Sequence, residues 1–430
     1  MKLLPAPPIP KDASRAAKRI HASQFQPVIQ ESLNTLLNLP GIRVTHFSME
    51  LNDNITHLHL SCEHEHSFAL CPTCQKASGS VYEYKSRSVR HLDILGMRTV
   101  IHFSQRSFEC FICGKPFTER LSWIDTKRRQ TIAFEEYIYN RVRKTPRKHV
   151  AREEGLSESS VLDIFKKKAK QAWRELNNGL VRILGIDEIM ACNVYKQYIL
   201  IISDLERRCI IAVLPSRLQV FFCRWIDNLS YSQRKAIKVV SMDMWEPYRQ
   251  AVKKKLPHAQ IVADRFHVMK NLNHQLDLLR RKIQREADDS LEKILKDSRW
   301  ILLKNRNELS SDEEDKLQQI LKASEELLTV YLLKEEFRVL CDKINTKERA
   351  ERFLRAWVYK ANTTANRYLI KFSKTLLNWW SEFLNYFEDR VTQGFVEGVN
   401  RAIRGIINRA FGFRNFDNLR LQILVEHGNT

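Results

Sequence analysis

Three short apolar runs that each end in an aspartate constrain this chain more than any other feature in it. Ile183 to Asp187 (Ile-Leu-Gly-Ile-Asp), Ala236 to Asp243 (Ala-Ile-Lys-Val-Val-Ser-Met-Asp) and Gln260 to Asp264 (Gln-Ile-Val-Ala-Asp) read as buried strands, each delivering a carboxylate to the rim of a sheet. In open α/β sheets that rim is where ligands bind and chemistry occurs. Between the first and second runs, Gln197 to Ser203 and Arg208 to Leu214 flank Asp204-Leu-Glu-Arg207 and predict a hairpin. Helical patterns at Leu218 to Leu229 and at Trp245 to Leu256, ended by Pro257, separate the later runs.

Three strands, helix, strand, helix, strand is the RNase H-like arrangement, an antiparallel meander continued by parallel strands with crossover helices. Its first and fourth strands lie side by side, so Asp187 and Asp243 are expected to end near each other. An aspartate at a strand end is more often a cap or turn residue than a ligand, and Glu188, Asp204 and Asp264 carry that plainer reading. Asp264, followed by Arg265-Phe-His267, competes for the second acidic position, but the adjacency of the first and fourth strands favours Asp243.

The charge balance says what kind of partner to look for. Lys and Arg number 71 against 50 Asp and Glu, a formal net charge of +21 over 430 residues, which points to a polyanion, with nucleic acid first. No apolar run reaches the length of a membrane span, and the opening Met-Lys-Leu-Leu-Pro-Ala-Pro-Pro is broken by prolines before a signal-peptide core can form. The expectation is a cytoplasmic, nucleoid-associated protein in a reducing compartment. There, the nine cysteines read as metal ligands and buried thiols.

Four of those cysteines form two C-x2-C knuckles, Cys71-Pro-Thr-Cys74 and Cys110-Phe-Ile-Cys113. Two such pairs supply the four thiolates of a tetrahedral structural Zn2+ with no open position, and the strand-like runs Ser80 to Tyr84 and Arg98 to Phe108 between them suit a zinc ribbon. His64 and His66 lie close enough to compete as ligands, although surface hairpin positions explain them as well. The surrounding cations Lys85, Arg87, Arg90, Arg98, Arg106, Lys115 and Arg120 suit a DNA contact, or simply a solvated surface.

Ahead of this region, residues 1–26 are Pro-rich and then basic and predict a mobile arm. A short helix over Val28 to Leu39 follows, then a hairpin of Ile42 to Leu51 and Ile55 to Leu60 across Asn52-Asp53-Asn54. Beyond the knuckles, Ile132 to Val142 predicts an amphipathic helix, and His149 to Phe165 has the layout of a helix-turn-helix. Val150 and Ala151 belong to its first helix, Gly155 makes the turn, and Ser157 caps a second helix whose Val161, Ile164 and Phe165 face inward. Ser157, Glu158, Ser159 and Ser160 then face a duplex, with Lys166, Lys167 and Lys168 near its phosphates.

Residues 265 to 390 are almost wholly helical in pattern. Their aromatic cluster (Trp300, Phe337, Trp357, Phe372, Trp379, Phe383 among others) reads first as core and second as a base-stacking wedge. The helix from Gly394 then puts Val399, Ile403, Ile406 and Ala410 on an apolar stripe, with Glu397, Asn400, Arg401, Arg404 and Asn408 on the other side. Two-metal phosphoryl transfer needs a few carboxylates, one of them bridging, and no covalent protein nucleophile. Asp187 is read as the bridge, Asp243 and Glu397 as holding one Mg2+ (or Mn2+) each, and Arg401 and Arg404 as phosphate contacts.

Taken together, the two Cys pairs, the helix-turn-helix, Gly185-Ile-Asp187-Glu, Val240-Ser-Met-Asp243, Val262-Ala-Asp264-Arg-Phe-His267-Val, Arg299-Trp-Ile-Leu-Leu-Lys304, Glu397-Gly-Val-Asn400 and Arg409-Ala-Phe-Gly-Phe-Arg-Asn-Phe416 resemble the ISL-three group of bacterial insertion-sequence DDE transposases over nearly the whole chain. The resemblance implies a DDE transposase that binds the terminal inverted repeats of its element and cuts and joins DNA as a homodimer or higher oligomer, with Asp187, Asp243 and Glu397 as its triad. The implied architecture is an α/β multidomain chain: a flexible arm (1–26), a zinc-ribbon region (27–122), a helix-turn-helix region (123–178), and an RNase H-like core (179–283 and 389–430) interrupted by an all-helical insertion (284–388). Two other readings use the same residues, a DNA-binding regulator with no working core and a nuclease acting on RNA·DNA hybrids. The second gives the N-terminal modules no role.

Overall fold

The computed structural model describes residues 30–52, 54–176, 179–192, 197–391, 394–410, 412–413 and 415–428. The proposed arm at 1–26 lies outside them. They divide into two compact units, within Met1–Lys168 and Ala169–Thr430.

In the first unit, helix α1 (30–37) precedes strands β1 (Ile42–Asn52), β2 (Ile55–His64), β3 (Ala69–Leu70), β4 (Ala77–Ser78), β5 (Val81–Arg90), β6 (Arg98–Glu109) and β7 (Pro116–Thr118). The expected hairpin is present, turning through Asn54 at φ 63°, a left-handed conformation that asparagine tolerates. The main sheet runs β1-β2-β6-β5, with β7 also on β6, and its one parallel pair is β2 with β6. Leu33 and Leu37 of α1 close one face over Leu58, Leu60, Val89, Ile101, Phe103 and Trp123. β3 and β4 pair separately beside the first knuckle.

Three helices follow, α2 (Ile132–Val142), α3 (Arg147–Glu154) and α4 (Glu158–Leu176). Gly155 ends α3 in the left-handed region at φ 64°, where a β-carbon would lie 2.7 Å from the Arg98 guanidinium. Ser157 accepts from the Ser160 N–H at 3.1 Å and so caps α4. Val161, Ile164 and Phe165 are buried, as the helix-turn-helix pattern requires.

The second unit is built on a five-stranded sheet of order β10-β9-β8-β11-β12, comprising β8 (Ile183–Cys192), β9 (Gln197–Asp204), β10 (Cys209–Leu214), β11 (Val239–Met242) and β12 (Gln260–Ala263). β8 and β10 each run antiparallel to β9, whereas β11 runs parallel to both β8 and β12. The first and fourth strands are therefore neighbours, as expected. Helices α5 (Gln219–Asp227), α6 (Tyr231–Ala236) and α7 (Glu246–Lys255) lie between the later strands. The strand expected from Ala236 begins only at Val239, because Ser230 and Gln233 form a capping box that starts α6 and carries Ala236 into it.

Side-chain alternation sorts the sheet into two faces. Leu184, Ile186, Leu200, Ile202, Val240 and Met242 pack against Phe222 and Ile226 of α5 and Tyr248 and Val252 of α7. On the other face, Ile189, Ile199, Ile201, Ile210 and Val213 meet two C-terminal helices, α17 (Gly394–Arg409) and α18 (Phe416–His427). Ile183, Val239 and Val262 join a large helical core instead.

That core belongs to α8 (Arg265–Glu286), α9 (Asp289–Leu295), α10 (Ser298–Leu303), α11 (Ser311–Ala323), α12 (Glu325–Lys343), α13 (Lys347–Thr363), α14 (Arg367–Asn378), α15 (Trp380–Leu384) and α16 (Tyr386–Asp389). Phe337 is its hub, with ring centroids 5.1 Å from Trp357, 5.3 Å from Phe372 and 5.7 Å from Phe383. Most of the aromatic cluster is thus core. Trp300 and Tyr359 are exposed.

Candidate active site and metal centres

The four knuckle cysteines come together in the first unit, their sulfurs all within 4.8 Å of one another. Cys71 Sγ lies 3.6 Å from Cys113 Sγ, and Cys74 Sγ 3.5 Å from Cys110 Sγ. Those separations fit thiolates sharing one tetrahedral ion, for which Zn–S bonds of about 2.3 Å place sulfurs about 3.8 Å apart. Backbone N–H groups, that of Cys74 first, lower the Cys71 thiol to about 6, and the Cys113 N–H lowers the Cys110 thiol, whereas burial and the neighbouring sulfurs raise Cys74 and Cys113. His64 stands apart from the set, with Nε2 2.7 Å from Ser104 O and 3.2 Å from Glu119 Oε1.

Several basic residues expected to meet DNA are engaged within the unit. Arg106 is buried on Glu119 at 2.8 Å, Arg98 donates to Glu153 O at 2.7 Å, and Arg90 pairs with Asp93 at 2.6 Å. Arg87 donates to Gln105 Oε1 at 3.0 Å. Lys85, Lys115 and Arg120 remain exposed. On α4, Ser157, Glu158 and Ser159 are exposed and Ser160 is half-buried, which suits an approach to a groove. Lys167 instead pairs with Asp125 and, at 2.7 Å, with the buried Glu135, while Lys168 pairs with Glu136 at 3.0 Å. A lysine tied to two carboxylates is a weaker phosphate ligand than the sequence suggested. Among the described residues Lys166 has no ion pair.

In the second unit β8 does not stop at Asp187. It runs five residues further, to Cys192, paired with β9 except for a register shift between Met190 and Cys192. What ends at Asp187 is its pairing with β11, which runs from Val239↔Ile183 to Met242↔Ile186. Asp243, the residue after Met242, follows in register beside Asp187. Met242 also pairs with Ala263, so Asp264 follows Asp243 in the same way. Three aspartates therefore stand in one row across three adjacent strands.

Parity then decides which side each acid takes. Asp187 shares the face of Ile183 and Ile189, toward the C-terminal helices and the helical core. Glu188 points the other way, where Tyr248 Oη lies 2.9 Å from its Oε1 and Arg217 3.5 Å from its Oε2. Asp204 accepts from the N–H groups of Glu206 and Arg207 at 3.0 and 3.1 Å. It is the turn residue its plainer reading described.

Asp187, Asp243 and His267 each offer a ligand atom within 4.8 Å of the others. His267 Nε2 lies 2.6 Å from Asp243 Oδ1 and 3.9 Å from Asp264 Oδ2. Asp264 caps α8, accepting from Phe266 N–H at 3.4 Å, which puts His267 one turn into that helix and on the acids. Burial, and then the neighbouring Asp243 charge, raises Asp187 to about 6, and burial raises Asp264 to about 6. His267 is raised as well, its burial outweighed by the hydrogen bond to Asp243 and the charges of the three aspartates. Carboxylates crowded this closely and partly starved of water are a donor set that a divalent cation would relieve.

Helix α17 completes the enclosure. Val396, Val399, Ile403 and Ile406 are buried, and Asn400 lies with them, its amide donating to Asp187 Oδ2. The sequence pattern had placed Asn400 on the polar side. It is instead the point where that helix joins the aspartate row. Glu397 and Arg404, one turn to either side, are exposed, and with Gly394 and Asn400 they line a recess of about 200 Å3 that is also bordered by Asp187, Glu188, Asp264, Phe266, His267 and Lys270. Arg401 is exposed on the same helix. His267 and Asn400 are the residues the sequence reading undervalued. Their spacing, three residues after an acid in each case, is the signal that marks them.

A DNA-binding module in one unit and a row of cation-ready carboxylates in the other define a protein that processes DNA. Comparison with known proteins gives its kind. Residues 184–423 match a DDE transposase family of the ISL3 type, 119–167 match the helix-turn-helix domain of transposase family ISL3, and 67–113 match the zinc-finger of transposases IS204/IS1001/IS1096/IS1165. The chain belongs to the ISL3 family of insertion-sequence transposases. The transposase for insertion sequence element IS1001 of Bordetella parapertussis is 28% identical over 357 residues, covering 82% of this chain and 87% of that one. The transposase for IS1557 of Mycobacterium tuberculosis is 24% identical over 258 residues, 55% of this chain and 57% of the relative. Family membership points to zinc in the ribbon and a divalent cation in the DDE domain. No helix among the described residues is long and apolar enough to cross a membrane.

Proposed function

We propose that this transposase binds the terminal inverted repeats of its element through the zinc ribbon and helix-turn-helix, and cleaves and rejoins DNA strands by two-metal phosphoryl transfer. Asp187, Asp243 and Glu397 are the residues assigned to hold the ions, Mg2+ or Mn2+. Bound there, the ions supply an activated water or 3′-hydroxyl and stabilisation of the leaving oxygen. The chain's own residues do the rest. Asn400 fixes the Asp187 carboxylate, His267 fixes Asp243, and Arg401 and Arg404 offer cations to the strand beside Glu397.

The observation that carries this reading is the in-register row of Asp187 and Asp243, of which Asp187 shares a recess with Glu397. Strand order and direction support an RNase H-like core, and the helices between Asp264 and Gly394 are then its all-helical insertion. The proposed regions remain 27–122, 123–178, 179–283 with 389–430, and 284–388. Pairing of two element ends calls for a homodimer or higher oligomer, acting in the cytoplasm at the nucleoid. Substituting Glu397→Gln tests the assignment: strand transfer in Mg2+ or Mn2+ should be lost while inverted-repeat binding persists. Full strand transfer by E397Q would leave instead a DNA-binding regulator, the second reading.

A further inference from the structure

The first unit holds a group of metal-ligand side chains that neither the cysteine set nor the acidic row uses. Alternation along the main sheet turns Leu58, Leu60, Val89, Ile101 and Phe103 toward α1. The residues between them, His57 and His59 of β2, Ser88 of β5 and His102 of β6, share the opposite face with Glu50 of β1. On that face His59 Nδ1 lies 2.9 Å from His102 Nε2. The remaining nitrogen of each ring also has a neighbour: Ser88 Oγ is 2.9 Å from His102 Nδ1, and Glu50 Oε2 is 3.7 Å from His59 Nε2. His57 stacks beside His59 with ring centroids 6.2 Å apart.

Imidazole is the commonest protein ligand for transition metals, and a ligating ring gives its second N–H to an outer acceptor that fixes its tautomer. Glu50 draws the His59 proton to Nε2 and leaves the Nδ1 lone pair directed at His102. With Ser88 accepting the Nδ1 proton of His102, the Nε2 lone pair of that ring is directed back at His59. Two lone pairs so close repel each other, and a cation between them turns the repulsion into a chelate. Burial, and then the neighbouring His59, lowers the His102 pKa, so that ring is uncharged at neutral pH.

The separation selects among cations. With metal–nitrogen bonds of about 2.0–2.1 Å, nitrogens 2.9 Å apart subtend about 90° at the ion, whereas a tetrahedral ion holds them about 3.3 Å apart. Right angles are the adjacent positions of a square-planar or tetragonal ion, which with imidazole ligands means Cu2+ or Ni2+, the former bound more tightly. The His59 side chain is 29% exposed and Glu50 62%, so water reaches the pair and can fill the other coordination positions. We propose that His59 and His102 form a two-imidazole site for Cu2+ or Ni2+ on the open face of the first unit's sheet, with Glu50 and Ser88 orienting the two rings. The site stands whether or not the acidic row has the role assigned to it above.

The test uses the full chain with Zn2+ in its ribbon and Ni2+ as the probe, since Ni2+ does not oxidise thiolates. Bound Ni2+ per chain and its affinity are measured by equilibrium dialysis in excess Mg2+. H59A and H102A should each hold one Ni2+ fewer than wild type, and the double variant no fewer than either. Because Asp187, Asp243 and His267 offer Ni2+ a second place, the comparison is repeated in chains carrying D243N, where the same single equivalent should again be lost. E50Q and S88A should keep the ion but bind it about 10- to 100-fold more weakly. H59Q and H102Q, which keep a polar side chain on the open face, should match the wild-type Tm before Ni2+ is added and still lack the ion. Equal Ni2+ in wild type and both single variants, or a loss confined to one of them, overturns the proposal and leaves a plain hydrogen bond between two imidazoles.

Discussion

Position in the aspartate row sets what each acid can do. Asp243 lies between Asp187 and Asp264 with its Oδ1 2.6 Å from His267 Nε2, whereas Asp264 is 3% exposed and occupied as the cap of α8. Asp243→Asn should therefore abolish strand cleavage, and Asp264→Asn should lower it about 10- to 100-fold, as loss of an outer partner does. Steady-state cleavage of a labelled repeat end measures both, and equal, complete loss would move the assignment to Asp264. The raised acids also make the metal-free protein sensitive to pH. A carboxylate whose folded pKa exceeds its unfolded value costs nothing below the unfolded pKa and its full penalty above the folded one, about 6 for Asp187 and Asp264. His267, raised in the fold, contributes stability below its unfolded pKa that is lost as pH rises through its folded pKa. Both act in one direction, so Tm in chelator should fall between pH 5 and pH 8, and Mn2+ should restore it at pH 8. A Tm that rises over that range in chelator contradicts the crowded site.

At the scale of elements, much was legible because period and punctuation agreed. Ile132 to Val142 is a helix over those same residues, and Gly155 and Ser157 end one helix and begin the next. The end of β8 was not legible, since Asp187 reads as a terminator in sequence yet continues a strand whose β9 edge stays paired. Neither was the placement of Asn400, because an amide on a polar-looking stripe is read as solvated until a partner strand more than 200 residues away supplies Asp187. The paired lysines of α4 belong to the same kind of miss: their partners Asp125, Glu135 and Glu136 lie in other segments. Gly185 is packed closely under Leu205, for a β-carbon there would lie 2.7 Å from Leu205 Cδ2 and 3.0 Å from its Cγ, so that side chain would have to shift. Gly185→Ala should destabilise the second unit by about 1–3 kcal/mol, read as a lower urea midpoint. An unchanged midpoint would show that Leu205 yields freely.

For the whole molecule, the modules follow the chain in the order recognition and then chemistry. Thiolates that suit a structural ion come first, next a helix-turn-helix with its first turn exposed, and last a sheet whose carboxylates stand in register beneath a late helix. A net charge of +21 makes salt-dependent binding to any DNA expected, so affinity alone distinguishes none of the readings. The direct test is where divalent ions sit. Crystals grown with Mn2+ and an element end should show two anomalous-scattering peaks bounded by Asp187, Asp243 and Glu397, roughly 3.5 to 4 Å apart. Peaks that leave out Glu397, or an aspartate row that takes no ion under those conditions, would contradict the account.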